Sequence, residues 1–207
     1  MVHKWEEPVL ALSGGSGAVF FGGCNLGCAY CQNMAISRAP TGAPMDAVAL
    51  RKEMEALIAK GAENIDLITA APYLPTVLEA LQEPVSVPVI YNTGGYESIE
   101  AIRALEGKID IYLPDLKYAD SHLAQSLSHA PDYFPVATRA ISEMVRQVGS
   151  PVFQGERLVR GVIIRHLILP GQVENSLKVL DWIGEHLGNT ELLTRIMIKL
   201  WLKESRL

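Results

Sequence analysis

Long apolar runs are missing from these 207 residues, although 49% of them are hydrophobic. No stretch approaches the roughly 20 residues needed to cross a bilayer. The opening Met-Val-His-Lys-Trp-Glu-Glu-Pro holds no continuous apolar segment of the kind that directs secretion. A basic excess is absent too: 18 Lys and Arg stand against 23 Asp and Glu, for a net charge of −5. With no basic block, nucleic acid is not an expected partner, and neither is a membrane. Cysteine is scarce, with three in the whole chain. So few cannot build a disulfide framework, and reduced thiols agree with a cytoplasmic home. At 22.6 kDa the chain is long enough to bury one sizeable core, and one domain is expected.

All three cysteines fall in one eight-residue window, Cys24-Asn-Leu-Gly-Cys28-Ala-Tyr-Cys31. The window follows a short apolar run, Ala18-Val-Phe-Phe21, that reads as a strand. Three thiols this close cannot all pair with one another, so a metal is the simpler reading. A spacing of three residues and then two lets a tight loop hold three corners of a cubane iron–sulfur cluster and leave the fourth iron open. A structural zinc is the alternative, but it needs a fourth ligand and usually two separated ligand pairs. Any of His3, His122, His129, His166 and His186 can in principle complete a Cys3His set. Unmetallated thiols on a Gly-rich loop would be open to oxidation. The iron–sulfur reading accounts best for the spacing.

Beyond the cysteines, two textures alternate. Asp46 to Lys60 places Leu50, Met54, Leu57 and Ile58 on one face, with Asp46 as N-cap and Gly61 past the end. Strands are expected at 65–69, 87–91, 109–113 and 160–169, and helices at 75–81, from about 99 to 105, at 121–128, 134–148 and 173–187. Strand then helix, repeated, gives βαβ units and a parallel sheet. The fold class is therefore α/β, a partial (β/α) barrel of about five to six strands with the cysteine loop after the first. A flat doubly wound sheet is the other arrangement compatible with this order. In β/α barrels catalytic groups gather at the C-terminal strand ends. Here those ends carry the cysteines, Thr69, Asn92-Thr93, Asp115-Leu-Lys117 and the Arg165-His166 pair. Ser13-Gly-Gly-Ser-Gly17 precedes a strand and has neither a following helix nor a Lys, so it reads as a lead-in rather than a phosphate loop.

Phe20-Phe-Gly-Gly-Cys24-x-x-x-Cys28-x-Tyr30-Cys31-Gln-Asn33 resembles the signature of the radical S-adenosylmethionine superfamily. Within it the chain most resembles the pyruvate-formate-lyase-activating-enzyme-like proteins, from about residue 6 to about residue 190. The resemblance implies a 4Fe–4S cluster on Cys24, Cys28 and Cys31, with the free iron chelating the amine and carboxylate of S-adenosylmethionine. It implies a radical S-adenosylmethionine oxidoreductase that forms a 5′-deoxyadenosyl radical and abstracts hydrogen from a protein glycine. The implied partners are a glycyl-radical enzyme or other protein substrate and an electron donor such as flavodoxin or ferredoxin. A small-molecule, peptide or RNA substrate is the alternative, as is a non-catalytic relative binding a cluster or zinc.

The resemblance also implies residue roles. Tyr30 is similar to the aromatic that packs near the adenine. Thr69-Ala-Ala-Pro72 lies where the superfamily often carries Gly-Gly-Glu to bind the methionine amine, and this chain has no acid there. Asn92-Thr93-Gly-Gly95 resembles Asp-Thr-Asn-Gly, and Asp115-Leu-Lys117 resembles Asp-Leu-Lys; both would border the cofactor and a monovalent-cation site. Asp115 and Lys117 are the catalytic candidates, with Lys117 offering a cation to the carboxylate or substrate. Arg165-His-Leu-Ile-Leu-Pro170-Gly171 resembles a strand whose Arg reaches the S-adenosylmethionine carboxylate, a bidentate role suited to guanidinium. His166 alternates to the opposite face and is expected to be structural. Both ends of the 6–190 core look shortened. Residues 191–207 are expected to form a divergent helical tail, with Leu192, Ile196 and Leu200 in one stripe.

Overall fold

In the structure, a computed structural model, residues 1–4, 7–39, 42–187 and 197–200 are described, the last four by their backbone alone. Strand β1 (Val2–His3) runs antiparallel to β2 (Ser16–Phe20). After β2 come α1 (Met34–Ser37), α2 (Ala47–Ala59), β3 (Ile65–Ile68) and α3 (Leu74–Ala80), the last entered through a single 3-10 turn over Ala71–Tyr73. Then follow β4 (Val89–Thr93), α4 (Ile99–Ala104), β5 (Ile111–Pro114), α5 (Ser121–Ser128) and α6 (Tyr133–Val148). The remainder is β6 (Val152–Gln154), β7 (Arg157–Val162), β8 (Arg165–Ile168), α7 (Val173–Leu187) and β9 (Met197–Leu200).

The main sheet has the order β1-β2-β3-β4-β5-β7-β6, and β2 to β7 within it are parallel neighbours. β8 continues β7 after a break at Ile163-Ile164 and stays beside β5: the Ile163 N–H donates to the Tyr112 carbonyl at 2.9 Å and the Leu116 N–H to that of Arg165 at 2.8 Å. β8 in turn pairs in parallel with β9. Six parallel strand positions therefore follow one another in chain order, the expected partial barrel.

Local chemistry explains the element starts. The Asp46, Ser98 and Asp120 side chains accept the N–H groups of Ala49, Ala101 and Leu123 at 2.8, 3.1 and 2.8 Å, capping α2, α4 and α5. Period-two alternation then divides the core. Ile65, Leu67, Val89, Tyr91 and Tyr112 face the helices and join Leu50, Met54, Ile102, Ile141 and Val179 in one large cluster. Ile90, Ile111, Leu113 and Ile163 face the barrel interior, which Val9 and Leu10 help to fill. By strand register Asp66 and Asn92 lie on that interior face.

Three expectations change. The single strand at 160–169 is two, β7 and β8. The β1 pairing and the β6–β7 hairpin were not foreseen. Where a helical tail was expected over 191–207, Met197–Leu200 are a strand; the rest of that tail lies outside the described residues.

Candidate active site

The cysteine loop leaves β2 at its C-terminal end and is stitched to the end of α5. The Ala29 N–H donates to the Leu127 carbonyl at 2.8 Å, and the Arg38 guanidinium reaches the Gly27 and Cys28 carbonyls at 3.0 and 3.3 Å. Gly27 sits so close to His129 that an added Cβ would lie 2.9 Å from its ring. Cys24, Cys28 and Cys31 are free and half-buried. Each sulfur has a hydrogen-bonding neighbour: the Leu26 N–H at 3.4 Å from Cys24, the Ser128 hydroxyl at 2.9 Å from Cys28, and the Ser37 hydroxyl at 3.3 Å from Cys31. Burial raises the Cys24 pKa, against the opposing pull of the Leu26 N–H and the Lys117 charge.

Among the described residues no group of three His, Cys, Asp or Glu side chains is drawn together tightly enough to hold a single metal ion. The fit of an iron–sulfur cluster rests instead on donor chemistry. Three soft sulfurs share one loop, and each faces a group able to bond to a thiolate. Ser128 belongs to a longer chain, since its hydroxyl bonds that of Tyr118 at 2.7 Å and Tyr118 bonds Tyr30. Burial, with Tyr118 beside it, drives the Tyr30 pKa far up, so this expected adenine neighbour is a neutral phenol tied into the loop's anchor.

A second constellation lies at the same sheet edge. Asp115 extends β5 and receives Arg165 Nε on Oδ1 at 2.8 Å and the Lys117 ammonium on Oδ2. Arg165 also donates to Asn92 Oδ1 at 2.7 Å, and Asn92 donates to Asp66 at 3.2 Å. Burial pushes the Asp115 pKa up, but the two cations more than reverse this and hold it at about 2. Burial pulls Lys117 down, and the charges of Asp115 and Cys28 more than offset it, so its pKa rises. The Tyr133 hydroxyl fixes the backbone beneath, bridging the Gly94 and Asp115 carbonyls at 2.8 Å each.

Four of the residues singled out from sequence, Asn92, Asp115, Lys117 and Arg165, therefore form one network. Thr69 follows β3 with a positive φ of 63°, a strained setting for a β-branched residue, and its N–H donates to the Asn92 carbonyl at 2.9 Å. Thr93 takes no part in the network. Its hydroxyl lies on the helix-facing side of β4, where it donates to Glu97 and accepts the Gly95 N–H at 3.2 Å. His166 is buried between the Leu116 carbonyl at 2.6 Å and the Ser176 hydroxyl at 2.9 Å, a structural placement.

Sequence reasoning passed over Glu97, Ser128 and Tyr118. Glu97 is 5% exposed, and burial raises its pKa to about 7 although the Thr93 hydroxyl opposes the rise. The signal available for it was position: an acid just after the Gly94-Gly95 turn at a C-terminal strand end. Nothing local marks Ser128 or Tyr118, whose roles come from how α5 sits beside the loop.

Comparison with known proteins places this arrangement in context. Residues 18–183 match the family described as Radical SAM, the Radical SAM superfamily. A relative from Methanocaldococcus jannaschii, named Uncharacterized protein MJ0674, is 29% identical over 198 residues, covering 91% of this chain and 54% of that protein. The chain thus spans about half the length of the curated relative it matches. HydG, a maturase of the [FeFe]-hydrogenase, superposes with a TM-score of 0.59 at 14% identity, over 89% of this chain and 42% of HydG. Methylornithine synthase (PylB) superposes with a TM-score of 0.57 at 14% identity, over 90% of this chain and 53% of the synthase. At such identities the structural likeness speaks for the fold. No helix among the described residues is long and apolar enough to cross a membrane.

Proposed function

Because the chain belongs to the radical S-adenosylmethionine superfamily, we propose that it is an enzyme that reductively cleaves S-adenosylmethionine and uses the resulting radical to abstract hydrogen, with a protein glycine as the target. The observation that carries this reading is the meeting of two constellations at one sheet edge: three hydrogen-bonded cysteine sulfurs and the Asn92–Arg165–Asp115–Lys117 network. Cys24, Cys28 and Cys31 would hold a 4Fe–4S cluster. Bound there, such a cluster supplies one electron to the sulfonium of S-adenosylmethionine, whose C–S bond breaks to give a 5′-deoxyadenosyl radical.

The protein's own groups supply position and charge. Against the opposing cost of burial Asp115 keeps Lys117 charged, and it fixes both Lys117 and Arg165 in direction, so two cations can meet a carboxylate at the mouth of the barrel. The Leu26 N–H and the hydroxyls of Ser128 and Ser37 face the three sulfurs and favour their anionic form. Tyr133 and the Thr69–Asn92 backbone bond hold the strand ends in register. Glycine as the target is favoured by the activating-enzyme-like segments Asn92-Thr-Gly-Gly, Asp115-Leu-Lys and Arg165 to Gly171, four of whose residues join one network. A partner glycyl-radical enzyme and a flavodoxin- or ferredoxin-type donor follow from that reading.

The test is anaerobic reconstitution followed by reduction with S-adenosylmethionine. About one cluster per chain and formation of 5′-deoxyadenosine are expected. Cluster-loaded protein that yields no 5′-deoxyadenosine under strong reductant would falsify the enzymatic reading. Deuterium carried into 5′-deoxyadenosine from a small molecule, rather than from a glycine-labelled protein, would overturn the choice of target.

A further inference from the structure

The three cysteine sulfurs are not hydrogen-bonded alike. Cys24 meets a backbone N–H at 3.4 Å, and Cys31 meets a half-buried hydroxyl, that of Ser37, at 3.3 Å. Cys28 has the shortest of the three contacts, 2.9 Å to the Ser128 hydroxyl, and its donor is buried. Behind Ser128 stand two further hydroxyls, first that of Tyr118 and then that of Tyr30. The chain begins and ends in the cysteine loop, since Tyr30 lies two residues after Cys28.

Counting hydrogens gives this chain a direction. A thiolate sulfur bound to iron carries no hydrogen and can only accept. The single hydroxyl hydrogen of Ser128 is then committed to Cys28, so its 2.7 Å bond to Tyr118 must be donated by Tyr118. Tyr118 has used its own hydrogen in turn, and the bond between the two phenols is donated by Tyr30. Three hydroxyls therefore donate head to tail into one sulfur. Ser128 and Tyr118 are 2% and 0% exposed, which keeps solvent from replacing a missing donor. Bonds in such a chain strengthen one another by about 10–30% each. A donor at a ligand sulfur disperses the negative charge gained on reduction, and so raises the potential.

We propose that Tyr118 and Tyr30 are positioning residues that aim the Ser128 hydrogen at Cys28, and that they thereby set the potential at which one electron enters a cluster held on this loop. The inference rests on the functional reading above, which supplies the cluster and its external electron donor. The protons stay on their oxygens and only the electron moves. Tyr30 thus has a use for its hydroxyl that is separate from any contact of its ring with adenine.

The experiment is an EPR-monitored redox titration of the anaerobically reconstituted full chain. The proteins are the wild type, Tyr118→Phe, Tyr30→Phe, Ser128→Ala and the Tyr118→Phe/Ser128→Ala double variant. Phenylalanine keeps the ring, including the edge contact of Tyr118 with Tyr133 at 5.3 Å, and removes only the hydroxyl. Tyr118→Phe should move the midpoint to a more negative value, by at least about 10–30% of the Ser128→Ala shift. Tyr30→Phe should move it the same way and less. The double variant should match Ser128→Ala alone, because Tyr118 acts on Cys28 only through Ser128. A merely structural tyrosine would weaken the fold and leave the midpoint where it was. A wild-type midpoint in Tyr118→Phe overturns the proposal, as does a double variant shifted by the sum of the singles. Two phenylalanine variants that take up no cluster would assign the hydroxyls to folding and overturn it as well. A wild type that takes up no cluster overturns the functional reading, and this inference with it.

Discussion

Replacing Asp115 by Asn keeps the side chain's shape and removes the carboxylate that both Arg165 and Lys117 bond. The amide has one acceptor oxygen for two cationic donors, and its NH2 must then point at one of them. Breaking a buried ion pair from one side costs about 3–5 kcal/mol. The Asp115, Arg165 and Lys117 side chains keep 24%, 17% and 13% of their surface, so solvent softens the loss to about 2–3 kcal/mol. The pKa gives a second route to the same size. A fall from 3.8 to about 2 corresponds to about 2 kcal/mol of folded-state stabilisation. Urea unfolding of the cluster-free protein at neutral pH should show the midpoint falling with the slope unchanged. Adding Lys117→Met to Asp115→Asn should restore about 1 kcal/mol by removing one orphaned cation. The pH dependence has a definite sign. Because the folded pKa is depressed, Asp115 contributes fully above 3.8 and loses its contribution as pH falls through about 2, so the gap between wild type and variant should close over that window. A loss below about 0.5 kcal/mol, or a double variant as weak as the sum of the singles, would refute the reasoning.

Two further outcomes follow from neighbouring groups. Ser128→Ala deletes the link between Tyr118 and Cys28, and should cost about 1 kcal/mol in unfolding experiments on the cluster-free chain. In the cluster-loaded protein the same change should move the reduction potential to a more negative value in an EPR-monitored titration, since a hydrogen bond to a ligand sulfur is lost. Gly95→Ala puts a Cβ 2.1 Å from the Asp115 carbonyl oxygen at a φ of 82°, and should abolish soluble expression or cost more than about 3 kcal/mol. Gly107→Ala, at a similar φ of 76° but in open space, should cost only about 1 kcal/mol, and equal losses at the two sites would remove the steric argument.

The legible parts of this chain are those whose signal is local. Asp46, Ser98 and Asp120 cap the helices they precede because a short acceptor side chain before an apolar period has one low-energy use. The central strands read clearly because burial on both faces leaves near-continuous Ile, Val and Leu. β6 did not, since all three of its residues are exposed and an edge strand with no buried face carries no alternation. The break between β7 and β8 falls within Val162-Ile-Ile164, apolar on both sides, so composition gives no hint of it. At the site, period two separates Arg165 from His166, and the structure places them accordingly. The same rule separates Asn92 from Thr93, and treating those two as one motif obscured that they face opposite sides of β4. Ser128 lies 100 residues from Cys28, and such a contact exists only once the barrel has brought α5 beside the loop.

That division of β4 sends two neighbouring side chains into different surroundings. Toward the barrel interior Asn92 donates to Asp66 and accepts from Arg165, whose partner Asp115 also holds Lys117, so two acids and two cations share that network. Toward the helices Thr93 bonds Glu97, an acid with no cation opposite it among the described residues. Adjacent residues of one β-strand thus serve two hydrogen-bond networks on opposite faces, which is why the Asn92-Thr93 pair could not be read from sequence as one functional unit.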